Sequence, residues 1–225
     1  MLKQARKISA EDVASEIRRI GFACTMCGGC CRHNEGDNRV LLTTVDIDDL
    51  ENNSQYARER VATPMLPEGL NLSSQGSLGR VSDDARSLDI DPEGNIHTFG
   101  WMLPRKSNGD CRFLQGSFHT GKCRVYEMRP MLCRTYPFYM DEGQLLTSKC
   151  EGLGRAISWD DSLKMAADVL QRHVAELEDA LLTYERFEDV ELYPCAPASV
   201  QRERGMVNVI VHDARGAHFV SIRIE

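Results

Sequence analysis

Eight of the nine cysteines in this 225-residue chain fall into two sets of four, and that arrangement constrains the fold more than any other feature. The first set is compact: Cys24, Cys27, Cys30 and Cys31 lie in the run Cys-Thr-Met-Cys-Gly-Gly-Cys-Cys. The second is dispersed: Cys111, Cys123, Cys133 and Cys150. A Cys-x2-Cys step turns two thiolates onto one metal or one cluster face, and two steps in succession bring three thiolates to a compact centre. Three ligands from a short run and a fourth from far away is the pattern of cubane iron–sulfur ligation. Zinc takes the same ligands, but closed zinc sites more often pair one such knuckle with another, and the second set has none. The spacing favours iron–sulfur and leaves zinc open.

The adjacent pair adds a constraint. Successive side chains of an extended segment point to opposite faces, so Cys30 and Cys31 are expected to serve different centres. Eight thiolates make room for two tetra-thiolate sites, each drawing on both halves of the sequence. A single centre with four spectator cysteines and a bridged two-metal site stay open.

No stretch approaches the roughly 18–20 continuous apolar residues of a membrane helix, and the charged N-terminus has no apolar h-region. The expectation is a cytoplasmic protein with no membrane contact. Thiols in a reducing cytosol are more often metal ligands or catalytic groups than disulfides, and an odd count argues against a fully paired framework. Hydrophobic residues make up 42%, as in a globular chain.

The net charge is −7, yet residues 101–155 carry nine Lys/Arg (Arg105, Lys106, Arg112, Lys122, Arg124, Arg129, Arg134, Lys149, Arg155) against five acids. Tetra-thiolate zinc and oxidised cubane centres are net dianions, so arginines nearby can offset their charge and donate to sulfur. The same arginines could equally be solvated surface charges. A nucleic-acid face is disfavoured, because the chain is acidic and its aromatics are not interleaved as a stacking platform.

Local patterns place these residues. Ser9 and Asp12 cap a short helix carrying Val13, Ile17 and Ile20, ended by Gly21. The cysteine run is a loop. Val40-Leu-Leu begins a short strand, followed by a helix capped at Thr43 or Thr44 with Ile47 and Leu50 facing inward. Residues 63–95 read as an irregular excursion containing a hairpin. Ile96–Leu103 and Cys111–Gln115 read as short strands, and Val125–Arg134 as helical turns interrupted at Pro130. Ser158 and Asp161 open a long helix whose stripe, Leu163, Ala166, Leu170, Val174, Leu177, Leu181 and Tyr184, is expected to pack on the core. Alternation on both sides of a turn near Gly216 predicts a terminal β-hairpin.

The run CTMCGGCCR, the helix start LTTVDIDDL, the block CRFL…GKCRVYEMRPMLCRTYPF and the closing CEGLG together resemble the YkgJ-like cysteine-cluster family. That family is described as a zinc- or iron-chelating CxxCxxCC domain, related to the cysteine-rich part of flagellin lysine N-methylases. The resemblance covers roughly residues 20–155 and includes Tyr126, Arg129, Pro130 and the Cys-Arg-x-Tyr-Pro-Phe step at 133–138. It implies an eight-cysteine metal or iron–sulfur module on Cys24, Cys27, Cys30, Cys31, Cys111, Cys123, Cys133 and Cys150.

The remaining candidates are weaker. Cys195 in Tyr-Pro-Cys-Ala-Pro reads as a buried small hydrophobe. His33 and His119 lie closest to the clustered cysteines and read as bystanders. Gly152-Leu-Gly154 lacks the strand and third glycine of a nucleotide loop and reads as close backbone packing near the metal site. Tyr136, Pro137 and Phe138 shield the site or belong to the core. The radical S-adenosylmethionine spacing is absent, as are a P-loop, a G-x-S-x-G elbow and an H-E-x-x-H motif, so no residue is assigned a catalytic role.

The expected fold is α+β: a small Cys-rich metal-binding domain over 1–155 with few regular elements, and a long helix plus β-hairpin over 156–225 packed on it. The expected function is a cytoplasmic iron–sulfur protein, with one or two [4Fe–4S] centres, acting in electron transfer or as an accessory to a protein partner. The alternatives are a structural Zn2+ protein and a cluster-dependent protein lysine N-methylase, the latter alone requiring S-adenosylmethionine.

Overall fold

Short polar side chains at the ends of apolar patterns fix the first helices. The computed structural model describes residues 1–32, 38–54, 56–66, 88–117, 120–187, 193–195, 202–203 and 206–223. After a single turn, α1 (Leu2–Ala5), comes α2 (Ala10–Ile20). Ser9 accepts the Asp12 amide at its start, and Gly21, at φ 77°, ends it. Beyond β1 (Leu41–Leu42), α3 (Thr44–Asn53) begins with a reciprocal capping box between Thr43 and Asp46. Ile47 and Leu50 on this helix are fully buried.

The chain continues through α4 (Arg58–Val61), β2 (Thr63–Pro64), β3 (Leu88–Ile90), β4 (Ile96–Phe99) and β5 (Trp101–Met102). The single strand expected over Ile96–Leu103 is broken at Gly100, whose φ of 89° turns the backbone out of extended geometry. Next come β6 (Leu114–Gln115) and β7 (Lys122–Cys123), a 3-10 turn over Tyr126–Met128, and α5 (Met131–Thr135) starting after Pro130. A hairpin, β8 (Phe138–Asp141) and β9 (Gln144–Thr147), leads to the 28-residue α6 (Trp159–Arg186). The last strands are β10 (Tyr193–Cys195), β11 (Arg202–Glu203), β12 (Met206–Asp213) and β13 (Gly216–Arg223). The fold is therefore α+β with a long helix and a terminal hairpin, as the sequence pattern predicts.

The chain divides into two compact units, Met1–Ala62 with Leu103–Glu178, and Thr63–Met102 with Asp179–Glu225. The first has a core of Val13, Ala14, Ile17, Phe22, Phe138, Ala166 and Val169. Phe22 and Phe138 meet edge to face, with centroids 5.6 Å apart. The apolar stripe of α6 is covered only in part. Ala166 is buried, whereas Leu181 and Tyr184 near the C-terminal end are exposed. The expectation that the whole stripe packs on the core is corrected. A helix of 28 residues runs about 42 Å, beyond the reach of one small core.

The second unit is a sheet. β3 pairs antiparallel with β4, whose residues lie past the excursion over 63–95 in which a hairpin is expected; residues 67–87 of that excursion lie outside the described residues. β12 runs parallel to β4, with Val209 beside Ile96, and antiparallel to β13 across a two-residue turn at Ala214 and Arg215. Val207, Val209 and Val211 alternate onto the buried face.

Within this sheet a buried polar chain links Asp91, His97 and His212. His97 Nε2 lies 3.1 Å from Asp91 Oδ2, and His97 Nδ1 lies 2.9 Å from His212 Nε2. Burial holds the His212 pKa below its ordinary value near 6.5, and the neighbouring His97 adds to the shift. The neutral form thus belongs to the folded state, and its stabilisation is present above pH 6.5 and lost as pH falls through the depressed folded value. The thermal midpoint should fall as pH is lowered from 7.5 to 5.5, and His212→Gln should flatten that slope. A wild-type midpoint that is level over this range would exclude the role.

Candidate metal centre

The two cysteine sets come together. All eight sulfur-bearing residues, Cys24, Cys27, Cys30, Cys31, Cys111, Cys123, Cys133 and Cys150, line one cavity of about 1120 Å³ in the first unit. All eight are free thiols. Cys24 and Cys30 are exposed, whereas Cys111 is buried. Among the described residues, no three His, Cys, Asp or Glu side chains converge at the spacing of a single bound ion. The thiols instead form the walls of the cavity.

Backbone contacts hold those walls. Ala23 N–H donates to Gly152 O (3.0 Å) and Gly154 N–H to Gly21 O (3.0 Å), with Phe22 paired opposite Leu153. This lays the start of the cysteine run along the segment that carries Cys150. Gly152 makes the approach close enough, because a Cβ there would stand 2.4 Å from Ala23 O. The close packing expected near the site falls on Gly152, while Gly154 faces open space. The next contact is between glycines: a Cβ on Gly121 would meet the Gly28 Cα at 3.3 Å, which brings the run against the strand bearing Cys123. Gly28 itself has a φ of 75°.

On the far wall, Cys111 N–H donates to Cys31 O (2.8 Å) and Leu114 N–H to Cys111 O (3.1 Å), and Leu114 pairs with Cys123. Cys133 sits on α5, whose first amide, Met131 N–H, donates to Asp46 Oδ1 at 2.7 Å. The other oxygen of Asp46 accepts from Thr43 N–H and Thr43 Oγ1–H. One buried carboxylate thereby joins the start of α3 to the start of the cysteine-bearing helix. Asp46→Ala should cost about 2 kcal/mol, from the lost cap and an unpartnered buried amide. Chemical denaturation compared with wild type measures this, and an unchanged midpoint would refute it.

The adjacent pair departs from expectation. Residues Gly29–Cys31 form a 3-10 turn rather than extended backbone, and the Cys30 and Cys31 sulfurs lie 3.9 Å apart on one side. The left-handed Gly28 starts that turn and so cancels the alternation on which the opposite-face reading rested.

Thiol acidity is uneven. The neighbouring Cys31 thiol holds the Cys30 and Cys111 pKa values down to about 7, while Cys111 and Cys30 together raise that of Cys31. Burial pushes Cys133 well up, and raises Cys123 and Cys150. The positive charge of Arg129 opposes this at Cys123 and Cys133.

Of the nine basic residues over 101–155, Lys122, Arg129, Arg134 and Lys149 line the cavity. The Arg129 guanidinium stacks 3.8 Å from the Tyr126 ring centroid. Arg134 Nε is buried without a hydrogen-bond partner among the described residues. A buried N–H donor in a cavity walled by thiols fits an anionic sulfur-ligated group. Lys106, by contrast, spends its ammonium on Leu114 O (2.6 Å).

α6 contributes unexpectedly, since Asp161, Lys164, Met165 and Asp168 also line the cavity. Their spacing of three and four makes one helical stripe in the sequence, beside the apolar stripe. Tyr136 lines the cavity, whereas Phe138 is wholly in the core. His33 and His119 lie outside the described residues, as does the side chain of Cys195; its backbone pairs with Leu88.

A family model described as CxxCxxCC, a putative zinc- or iron-chelating domain, matches residues 23–151, more than half of the chain. No curated protein and no solved structure matches it.

Proposed function

The chain belongs to the CxxCxxCC family of zinc- or iron-chelating domains, and from that premise we propose that it is an iron–sulfur protein whose cavity takes one or two [4Fe–4S] centres. The observation that carries this reading is the convergence of eight thiols, from two sets far apart in sequence, on one cavity of about 1120 Å³. Such a space is wider than the sulfur shell of one tetrahedral ion, in which each sulfur lies about 2.3 Å from the metal. A bound cluster supplies one-electron chemistry. The residues of this chain hold it through thiolates, offset its charge with Arg129, Arg134, Lys122 and Lys149, and leave Cys24 and Cys30 exposed. Exposed ligands suit exchange with a protein partner, so the role proposed is electron transfer or support of a partner enzyme. No helix among the described residues is long and apolar enough to cross a membrane, and the free thiols suit a reducing compartment such as the cytoplasm.

One observation favours structural zinc as the second reading. The 3.9 Å between the Cys30 and Cys31 sulfurs is close to the sulfur–sulfur edge of a zinc tetrahedron, about 3.8 Å. Anaerobic purification from an iron-replete host separates the two. The first reading expects brown protein with iron and acid-labile sulfide in comparable amounts. Colourless protein with stoichiometric zinc overturns it in favour of the second, and protein with neither metal overturns both.

A further inference from the structure

We propose that Cys31 and Cys111 form a reversible oxidative lock. In the metal-free chain a hydroperoxide joins them in a disulfide, which withdraws two of the eight cavity thiols and blocks loading of the centre. The inference rests on the metal-binding reading above and adds a modification site to it.

The two cysteines are held together by ties that involve no sulfur. Cys111 N–H donates to Cys31 O at 2.8 Å. The residue after Cys31 and the residue before Cys111 form an ion pair, Arg32 Nη1 to Asp110 Oδ2 at 3.3 Å, with side chains only 14% and 10% exposed. Arg32 Nη2 donates onward to Gly116 O at 3.1 Å. Asn38 Nδ2 spans the same seam, donating to Gly109 O at 3.1 Å and to Cys31 O at 3.4 Å. Charge-assisted bonds are the stronger kind, and a pair shielded from water is screened little by salt. This clasp needs no metal, so it returns the two residues to contact whenever the metal-free walls open.

Both side chains line the same cavity from backbones in direct contact. An amide bonded directly to a carbonyl sets the two Cα atoms about 5–6 Å apart, and an ordinary disulfide spans about 5.5–6 Å. Cys30 and Cys31 have sulfurs 3.9 Å apart but make a poorer pair. Consecutive Cα atoms lie about 3.8 Å apart, short of the roughly 4.4 Å at which disulfide spans begin.

Exposure assigns the order of events, because Cys31 is half-buried and Cys111 buried. The Cys31 sulfur takes one oxygen from the hydroperoxide. The O–O bond breaks, and the other oxygen leaves with the thiol proton as an alcohol, or as water where the oxidant is hydrogen peroxide. The Cys111 sulfur then attacks the resulting sulfenic acid. The S–S bond forms, the S–O bond breaks, and the hydroxyl leaves with the Cys111 proton as water. Together the two thiols give up two electrons and two protons. A dithiol reverses the step by exchange, and transient disulfides are the kind that persist in a reducing cytosol.

The test uses the full wild-type chain, stripped of metal by a chelator under anaerobic conditions and then given one equivalent of hydrogen peroxide. Free thiols are alkylated, the chain is digested without reductant, and linked peptides are identified by mass spectrometry. The linkage of Cys31 to Cys111 is expected about tenfold above any other pair, since these thiols start within bonding reach. Asp110→Asn weakens the clasp without touching a cysteine and should cut that preference several-fold. The linked chain, offered zinc or iron with sulfide, should fail to load, and a dithiol should restore loading. Scrambled linkages, a Cys30–Cys31 product, or sulfur oxidation without a linkage overturns the proposal. So does a linked chain that loads metal as fully as the reduced one. A reduced chain that takes up neither metal overturns the reading on which the lock rests. The two failures are distinct, because the linkage is read before any metal is added.

Discussion

Withdrawing metal under reducing conditions should expose the amides of residues 23–32, 103–117 and 120–135 to exchange while α2 and the first half of α6 stay protected. The walls of the cavity contain little that stands alone. They consist of a three-residue 3-10 turn, two-residue strands and a five-residue helix. Two-stranded hairpins and helices below about 12 residues are marginal in water. Burial of Phe113, Leu114, Val125 and Met131 contributes to holding them, and bound metal adds to it: for structural zinc in small domains its apparent worth is about 10–16 kcal/mol. By contrast, Val13, Ala14, Ile17, Phe22, Phe138, Ala166 and Val169 pack on one another without any cysteine among the buried members of that core. Hydrogen exchange on the loaded and stripped chain measures the difference segment by segment. Equal exchange of the wall segments with and without metal would show that packing alone holds them.

Gly152→Val should destabilise the first unit by about 3 kcal/mol or more and lower metal content with it. A Cβ at this position would lie 2.4 Å from Ala23 O and 2.9 Å from a Phe22 ring carbon. The first neighbour is backbone and cannot rotate away. The second is a ring fixed against Phe138. Relief requires parting the segments at Ala23 and Gly152, which carries Cys24 away from Cys150. Gly143→Ala makes the control: its φ of 80° is left-handed, but nothing lies within 4 Å of the added carbon. Its cost should be about 1 kcal/mol of backbone strain, with full metal content. Thermal melts and metal analysis of the two variants distinguish the cases, and equal loss in both would remove the clash as the cause.

Much of the local structure was legible because it depends on neighbours three or four residues apart. Ser9 with Asp12, Thr43 with Asp46 and Ser158 with Asp161 each form the bond their spacing suggests. The terminal hairpin follows from alternation around a two-residue turn. Legibility failed where one backbone angle changed a local rule. The left-handed Gly28 curls Cys30 and Cys31 to one side, and Gly100 splits a strand in two. It failed again where a contact spans the chain. Asp46 reaching Met131, β4 lying parallel to β12, and the buried Asp91–His97–His212 chain have no signature in any window of sequence.

By itself, the sequence determined the eight-plus-one division of the cysteines, the family they define, the α+β character and the capped helices on either side of the site. These depend on residue type and short spacing, which the backbone translates directly into local geometry. Only the tertiary structure decided that the segment before Cys24 lies along the segment after Cys150, that the Cys31 carbonyl accepts the Cys111 amide, and that α6 lines the cavity as well as covering the core. Those pairings arise where Phe22, Phe138 and the helix faces are buried together and glycines let backbones touch. That outcome is set by the packing of distant segments, and spacing along the chain does not encode it.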